Sequence, residues 1–146
     1  MTLQEFVSSR VEKSYHDDEI PCVIATLRIL EELFDLIIDK QVYESSWGLN
    51  GAGQYGAQCG LVEGTLMFIG LLSHREGFDK IKMWEACSKF ASDYEQKFGS
   101  LRCKELRPGG FNDDDPPHLC EPLSVDSIKF AAEFISDWFT LPIKLD

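Results

Sequence analysis

The segment Gln58–Ser73, QCGLVEGTLMFIGLLS, sets the fold class. Its apolar residues fall on nearly every side of a helical wheel, with a single charge at Glu63, so a helix here is predicted to be wrapped by its neighbours rather than to lie on a surface. Outward from it the same period recurs. Leu3, Phe6, Val7 and Val11 predict a short amphipathic helix over 2–15. After the polar break His16-Asp17-Asp18-Glu19, Pro21 suits the first position of a helix, where its missing N–H costs nothing. That helix is predicted to reach Asp39, with Ile24, Leu27, Leu30, Phe34 and Ile37 on one face. Downstream, Gly77 opens a further helix carrying Ile81, Met83, Trp84, Cys87, Phe90, Tyr94 and Phe98, with Gly99 as its stop. Leu101–Leu106 gives one or two turns. RPGGFNDDDPPH, 107–118, is a loop by composition. Ser124 is a good N-cap for a last helix to Phe139, with Ile128, Ala131, Ala132, Ile135 and Trp138 inward. No strand stands out and there is no internal repeat. The prediction is an all-α, single-domain bundle of five or six helices over 1–146: an N-terminal helix and break (1–20), then a four-cysteine module (21–140).

Composition narrows the function classes. The chain has 146 residues, 44% hydrophobic and 27% charged, which is ordinary for a globular domain and enough to form a core unaided. Fourteen basic against twenty-five acidic residues give a net charge of −11, unsuited to a phosphate backbone, so nucleic acid is not an expected partner. An acidic surface suits a basic partner and also serves solubility. The longest apolar run, Thr65–Leu72, is far too short to span a bilayer, and membrane insertion is not expected. The N-terminal MTLQEFVSSRVEKSYHDDEIP has no apolar core and no small-residue cleavage site, which predicts a cytoplasmic protein. Thiols there are kept reduced, which favours metal or redox roles over structural disulfides.

Five cysteines carry the chemistry. Cys87 lies mid-helix between Met83 and Phe90 and reads as a small core residue. The other four sit at predicted element boundaries. Cys22 follows Pro21, Cys59 joins the glycine-rich loop to the central helix, Cys103 follows Gly99, and Cys120 follows the proline-rich loop. A helix N-terminus offers unpaired N–H groups that favour a thiolate, so Cys22 and Cys59 are predicted to have lowered pKa values. The stretch SSWGLNGAGQYGAQCG supplies five glycines, Gly48, Gly51, Gly53, Gly56 and Gly60, whose amides are unhindered donors or which simply make a tight connection. No two cysteines have the C-x₂-C spacing of zinc ribbons or ferredoxin-like sites, so a metal site requires the fold to gather distant residues.

The pattern resembles a family of redox-active proteins named for four cysteines around a Cys-Gly-Ala-x-x-Gly motif. Cys59-Gly60-Leu61-Val62-Glu63-Gly64 matches that motif, with Leu61 in place of Ala. WGLNGAGQYGAQ resembles the glycine-rich run before it, KFGSLRCKEL the Phe-Gly-Ser segment leading to the third cysteine, and Cys22 and Cys120 the first and fourth. The resemblance covers 20–140. It implies a redox role for Cys22, Cys59, Cys103 and Cys120, with genes often placed near transporters, but names no reaction. Two mechanisms fit. In one, the four thiolates hold an iron–sulfur cluster or other metal, with Gly56, Gly60 and Gly64 flanking it, and a redox protein is the partner. In the other, Cys59 attacks a disulfide or oxidant and Cys22 resolves it. The alternative class is a structural zinc module that docks on a transporter-associated protein.

Other side chains have plainer readings beside sharper ones. His118, two residues before Cys120, is a loop histidine or a thiolate substitute. His16 and His74 are scattered, and His74 suits a helix C-terminus. Asp113-Asp114-Asp115 is a solvated turn lacking the alternating ligands of a calcium loop. Glu63, one turn after Cys59, is a capping carboxylate or a proton acceptor for a cysteine. Gly60 and Gly64 have the spacing of closely packed helices, within the chain or across a homodimer. Trp47 and Tyr55 either cover a ligand or pin the loop to the core.

Overall fold

A computed structural model describes residues 1–107 and 117–145. Eight α-helical segments follow one another: α1 Leu3–Glu12, α2 Cys22–Phe34, α3 Lys40–Ser45, α4 Gly51–Gln54, α5 Gly60–Arg75, α6 Lys80–Phe98, α7 Cys103–Leu106 and α8 Glu121–Phe139. A π-helical turn, Lys13–Asp17, extends α1, and 3₁₀ turns precede α4 and α8. The described residues contain no strand, only an isolated antiparallel bridge between Gln58 and Arg102. The loop predicted at 107–118, with Asp113–Asp115, lies outside the described residues from 108 to 116, as does the His118 side chain.

The all-α bundle is as the periodicity predicts, and α5 is its centre, packed against α2, α6 and α8 while α1 crosses α8. Leu61, Val62, Phe68, Ile69 and Leu72 of α5 are buried against Leu27, Leu30 and Leu33 of α2 and Ile128, Ala131 and Ile135 of α8. Close approach of α2 and α5 requires Gly64. A Cβ there would lie 3.0 Å from both Thr26 Cβ and the Val23 carbonyl oxygen. Gly60 and Gly64 thus serve packing within the chain.

Four boundaries and faces differ from the prediction. Pro21 is the N-cap rather than the first helical residue, with ψ of 164°. Helix α2 stops at Phe34, because Asp35 turns left-handed and Arg75 reaches across to the Phe34 and Asp35 carbonyl oxygens at 3.4 Å. The chain then runs extended, so Leu36 and Ile38 point in while Ile37 is 93% exposed. Glu31 holds this turn, accepting from the Ile38 amide and from the Tyr43 hydroxyl. In α6 the N-cap is Asp79, and the first turns stand clear of the bundle, leaving Ile81 and Trp84 exposed while Ala86, Phe90 and Tyr94 are buried. Helix α8 starts three residues before Ser124. Ser124 is therefore an interior residue, and Trp138 stacks on Phe134 at the surface.

Candidate functional site

All four boundary cysteines stand at helix starts. Cys22 and Cys103 are the first residues of α2 and α7, and Cys59 and Cys120 are the N-caps of α5 and α8. Cys87 is half-buried on α6.

Main-chain pairing registers two of them. The Cys59 amide donates to the Leu101 carbonyl at 2.9 Å, and the Cys103 amide to the Ala57 carbonyl at 2.7 Å. These bonds flank the Gln58–Arg102 bridge. Side chains alternate across such a pairing, so Cys59 and Cys103 project to one side and Gln58 to the other. There Gln58 donates to Glu63 at 2.6 Å, which ties up the carboxylate considered above as a proton acceptor. Burial raises the Glu63 pKa, opposed by that hydrogen bond.

The glycine-rich loop is wound the wrong way for an L-peptide. Gly51, Ala52, Gly53 and Gln54 all have φ between 58° and 72°. Each non-glycine residue so placed costs about 1–2 kcal/mol. The turn is closed by the Gln54 amide on the Asn50 carbonyl and by the Gly56 and Ala57 amides on the Gly51 carbonyl. It brings Gly51 against Cys103, where a Cβ would lie 3.0 Å from Cys103 Cβ. Gly56, at φ 99°, accepts from the Lys104 amide and so extends the pairing. A Cβ on Gly60 would collide with Cys22 Sγ, which places the Cys22 sulfur against the start of α5, next to Cys59.

Cys22, Cys103 and Cys120 line one cleft of about 200 Å³. Cys59 is 4% exposed and does not line it. Tyr15, Trp47, Asn50 and Arg107 share the cleft wall with the three thiols. Behind it two buried hydroxyl pairs join neighbouring helices: Tyr15 with Ser124 at 2.6 Å and Tyr94 with Ser127 at 2.7 Å.

The thiols are electrostatic neighbours, and burial favours the protonated form of Cys22, Cys59 and Cys103. Burial pushes Cys22 well up, and the prospective charges of Cys59, Cys103 and Cys120 push further. Burial raises Cys59 to about 12; the Leu61 and Val62 amides of α5 lower it, and Cys103 and Cys120 raise it. Cys103 is also raised by burial, with the Arg107 guanidinium opposing. The lowered pKa values predicted for Cys22 and Cys59 are thus reversed. The helix-start amides do favour the thiolate, but desolvation outweighs them.

Among the described residues no three His, Cys, Asp or Glu side chains are placed to hold a metal ion. His16 pairs with Glu121 at 2.7 Å, and the His74 ring lies 2.8 Å from the Gly70 carbonyl oxygen. No helix of the described residues is long and apolar enough to cross a membrane. Sequence reading missed Tyr15, Ser124, Ser127, Asn50 and Arg107. Ser124 and Ser127, three apart on an otherwise apolar helix face, were the available signal.

Residues 20–134 match the family model described as "Putative redox-active protein (C_GCAxxG_C_C)". Comparisons with curated proteins and with solved structures give no match. Leu61, where the family motif has Ala, is buried in the core, and the group it presents to Cys59 is its backbone amide. With all four cysteines at helix starts and the motif opening the central helix, the chain belongs to this family of redox-active proteins.

Proposed function

We propose that the chain is a dithiol–disulfide redox protein of a reducing compartment, the cytoplasm, with Cys103 and Cys59 as the exchanging pair. The observation that carries this is the main-chain pairing of 57–59 with 101–103, which sets a half-buried thiol, Cys103, and a buried one, Cys59, on the same side. Cys103 is half-buried on the cleft wall with Arg107 favouring its thiolate, whereas Cys59 lies behind, on the same side of the pairing. The sequence expectation has Cys59 attack and Cys22 resolve; here Cys103 attacks and Cys59 resolves.

The chemistry balances as two exchanges. The Cys103 sulfur attacks a disulfide RSSR, forming Cys103–S–S–R and releasing RSH. The Cys59 sulfur then attacks Cys103 Sγ, forming Cys59–S–S–Cys103 and releasing the second RSH. Each thiol proton leaves with a released thiol. The protein pair is oxidised by two electrons and RSSR is reduced; a dithiol partner reverses the change. Cys22, wedged at Gly60 beside Cys59, and Cys120, on the cleft wall, are the two remaining thiols of the site.

A second reading rests on the donor set. The charges of Cys59, Cys103 and Cys120 each disfavour the Cys22 thiolate, and a metal or iron–sulfur cluster held by these thiolates would offset that repulsion. The described side chains as placed do not fit a metal ion.

The test is a thiol count on the reduced chain after mild disulfide treatment, with metal analysis and a visible spectrum on protein purified without oxygen. A loss of two thiols, and a Cys59–Cys103 linked peptide, is expected. Iron or zinc bound in proportion to protein, with all four thiols protected from exchange, overturns the reading.

A further inference from the structure

Gly60 and Gly64 are taken up inside the chain, so a contact between copies needs another face. Helix α6 offers one. Ile81, Trp84, Ser88, Ala91 and Glu95 recur every three or four residues, which lines them up as one stripe. The stripe points away from Ala86, Phe90 and Tyr94, the buried side of the helix. Ile81 is 53% and Trp84 61% exposed, Ser88 and Glu95 are exposed too, and Ala91 is partly buried. Two large apolar side chains thus stand in water beside two small ones.

Charge separates α6 from the rest of the molecule. It carries four lysines against three acidic residues, while the remainder of the chain holds ten basic against twenty-two acidic ones. Two copies of so acidic a chain repel least where α6 faces α6. The signs also part along the stripe, with Lys80 in the first turn and Glu95 in the last. Neither forms an ion pair among the described residues; Lys80 Nζ lies 5.8 Å from the Trp84 ring centre instead.

We infer that the outer face of α6 is the contact between two copies of this chain, packed antiparallel about a two-fold axis. A stripe that alternates steps of three and four is the seam by which two helices lie side by side. Antiparallel packing sets Ile81 of one copy on Ala91 of the other and Trp84 on Ser88, large on small, and the two-fold axis repeats both contacts. It also brings Lys80 within reach of Glu95 of the second copy, twice over, and opposes the helix dipoles. A parallel pair would put Lys80 beside Lys80 and Trp84 against Trp84. A basic partner would settle on the acidic remainder of the surface, and an acidic one would meet Glu85 and Glu95 here. One helix face makes a small interface, so the association is weak and grows with concentration.

The test is sedimentation velocity on the full chain with reductant present, from about 1 μM to about 1 mM, the range of a weak interface. The average mass is expected to rise from 16.6 kDa towards twice that value. Trp84→Ala, at an exposed position where folding is not at stake, weakens association at least about tenfold, since each dimer loses two central aromatic contacts. Lys80→Glu and Glu95→Lys each weaken it about threefold to tenfold, the size of two exposed ion pairs. Together they return it to the parental strength, because the exchanged charges still meet across the two-fold axis. Far-UV circular dichroism common to all the variants shows that the fold is kept. A mass of one chain over the whole range overturns the inference. So does a dimer indifferent to Trp84→Ala, or a double exchange as weak as either single one.

Discussion

The Cys22 sulfur occupies the place where any residue other than glycine at position 60 would carry its Cβ. Two distant parts of the chain, the start of α2 and the start of α5, are thereby locked to each other at the thiol site. The Val23 amide nitrogen and the Leu49 carbonyl oxygen lie 3.1 and 3.2 Å from the same point, so backbone would have to move as well. Gly60→Ala is expected to destabilise by about 1–3 kcal/mol despite alanine's better helix propensity. Denaturant unfolding measures this, and an unchanged midpoint would show that Cys22 is not seated against α5.

Alkaline pH should loosen the fold. Cys59 titrates near 12 in the folded chain against about 9 for an ordinary thiol. Its folded pKa is raised, so the stability it contributes is complete below about pH 9 and is lost progressively as pH climbs from 9 towards 12. Unfolding free energies at pH 7, 9 and 10.5 should fall in that order. Cys59→Ala should flatten the decline between 9 and 10.5.

Accessibility and charge together set an order of alkylation. Cys103 is half-buried with the Arg107 guanidinium favouring its thiolate, while Cys59 is buried and raised by desolvation. Iodoacetamide followed by peptide mass mapping should label Cys103 before Cys59, and both faster as pH rises. The reverse order would reassign attack to Cys59.

The hydroxyl pair Tyr94–Ser127 is buried at both ends. Ser127→Ala strands the Tyr94 hydroxyl and should cost about 1–3 kcal/mol. Adding Tyr94→Phe removes the stranded group, so the double variant should be less destabilised than the two single losses added together.

The consecutive pair Ile37 and Ile38 separates the extended reading of this segment from the helical one. Ile37→Ser, at an exposed position, should change stability by no more than about 0.5 kcal/mol, whereas Ile38→Ala should cost about 2–4 kcal/mol.

That pair also shows where the sequence stops being legible. Local spacing places helices well: α5 and α8 lie close to their predicted ranges, and each boundary cysteine is at a helix start. Helical periodicity alone put Trp138 inside and Ile37, Ile81 and Trp84 on apolar helix faces, because a period says which residues share a face but not whether another element covers it. Arg75 ends α2 from forty residues away, and no local signal announces that. The thiol pKa values failed for a related reason. The helix-start amides are local and were readable; the desolvation that outweighs them comes from elements far apart in sequence that close around the site. Asn50 and Arg107 join the cysteines only through the left-handed turn at 51–54 and the pairing of 57–59 with 101–103.

That pairing has a consequence for building on this molecule. It fastens the two feet of the α5–α6 hairpin by main-chain bonds, with the tip at Glu76 and Gly77 exposed at the far end of α5. The hairpin is a pillar fixed at its base, and whatever is grafted onto its tip hangs a full sixteen-residue helix away from the sulfurs. Position 76, exposed and with an ordinary right-handed backbone beside the left-handed Gly77, is therefore the natural mooring for a fluorophore or an affinity handle in a sensor that reports the thiol state without touching it.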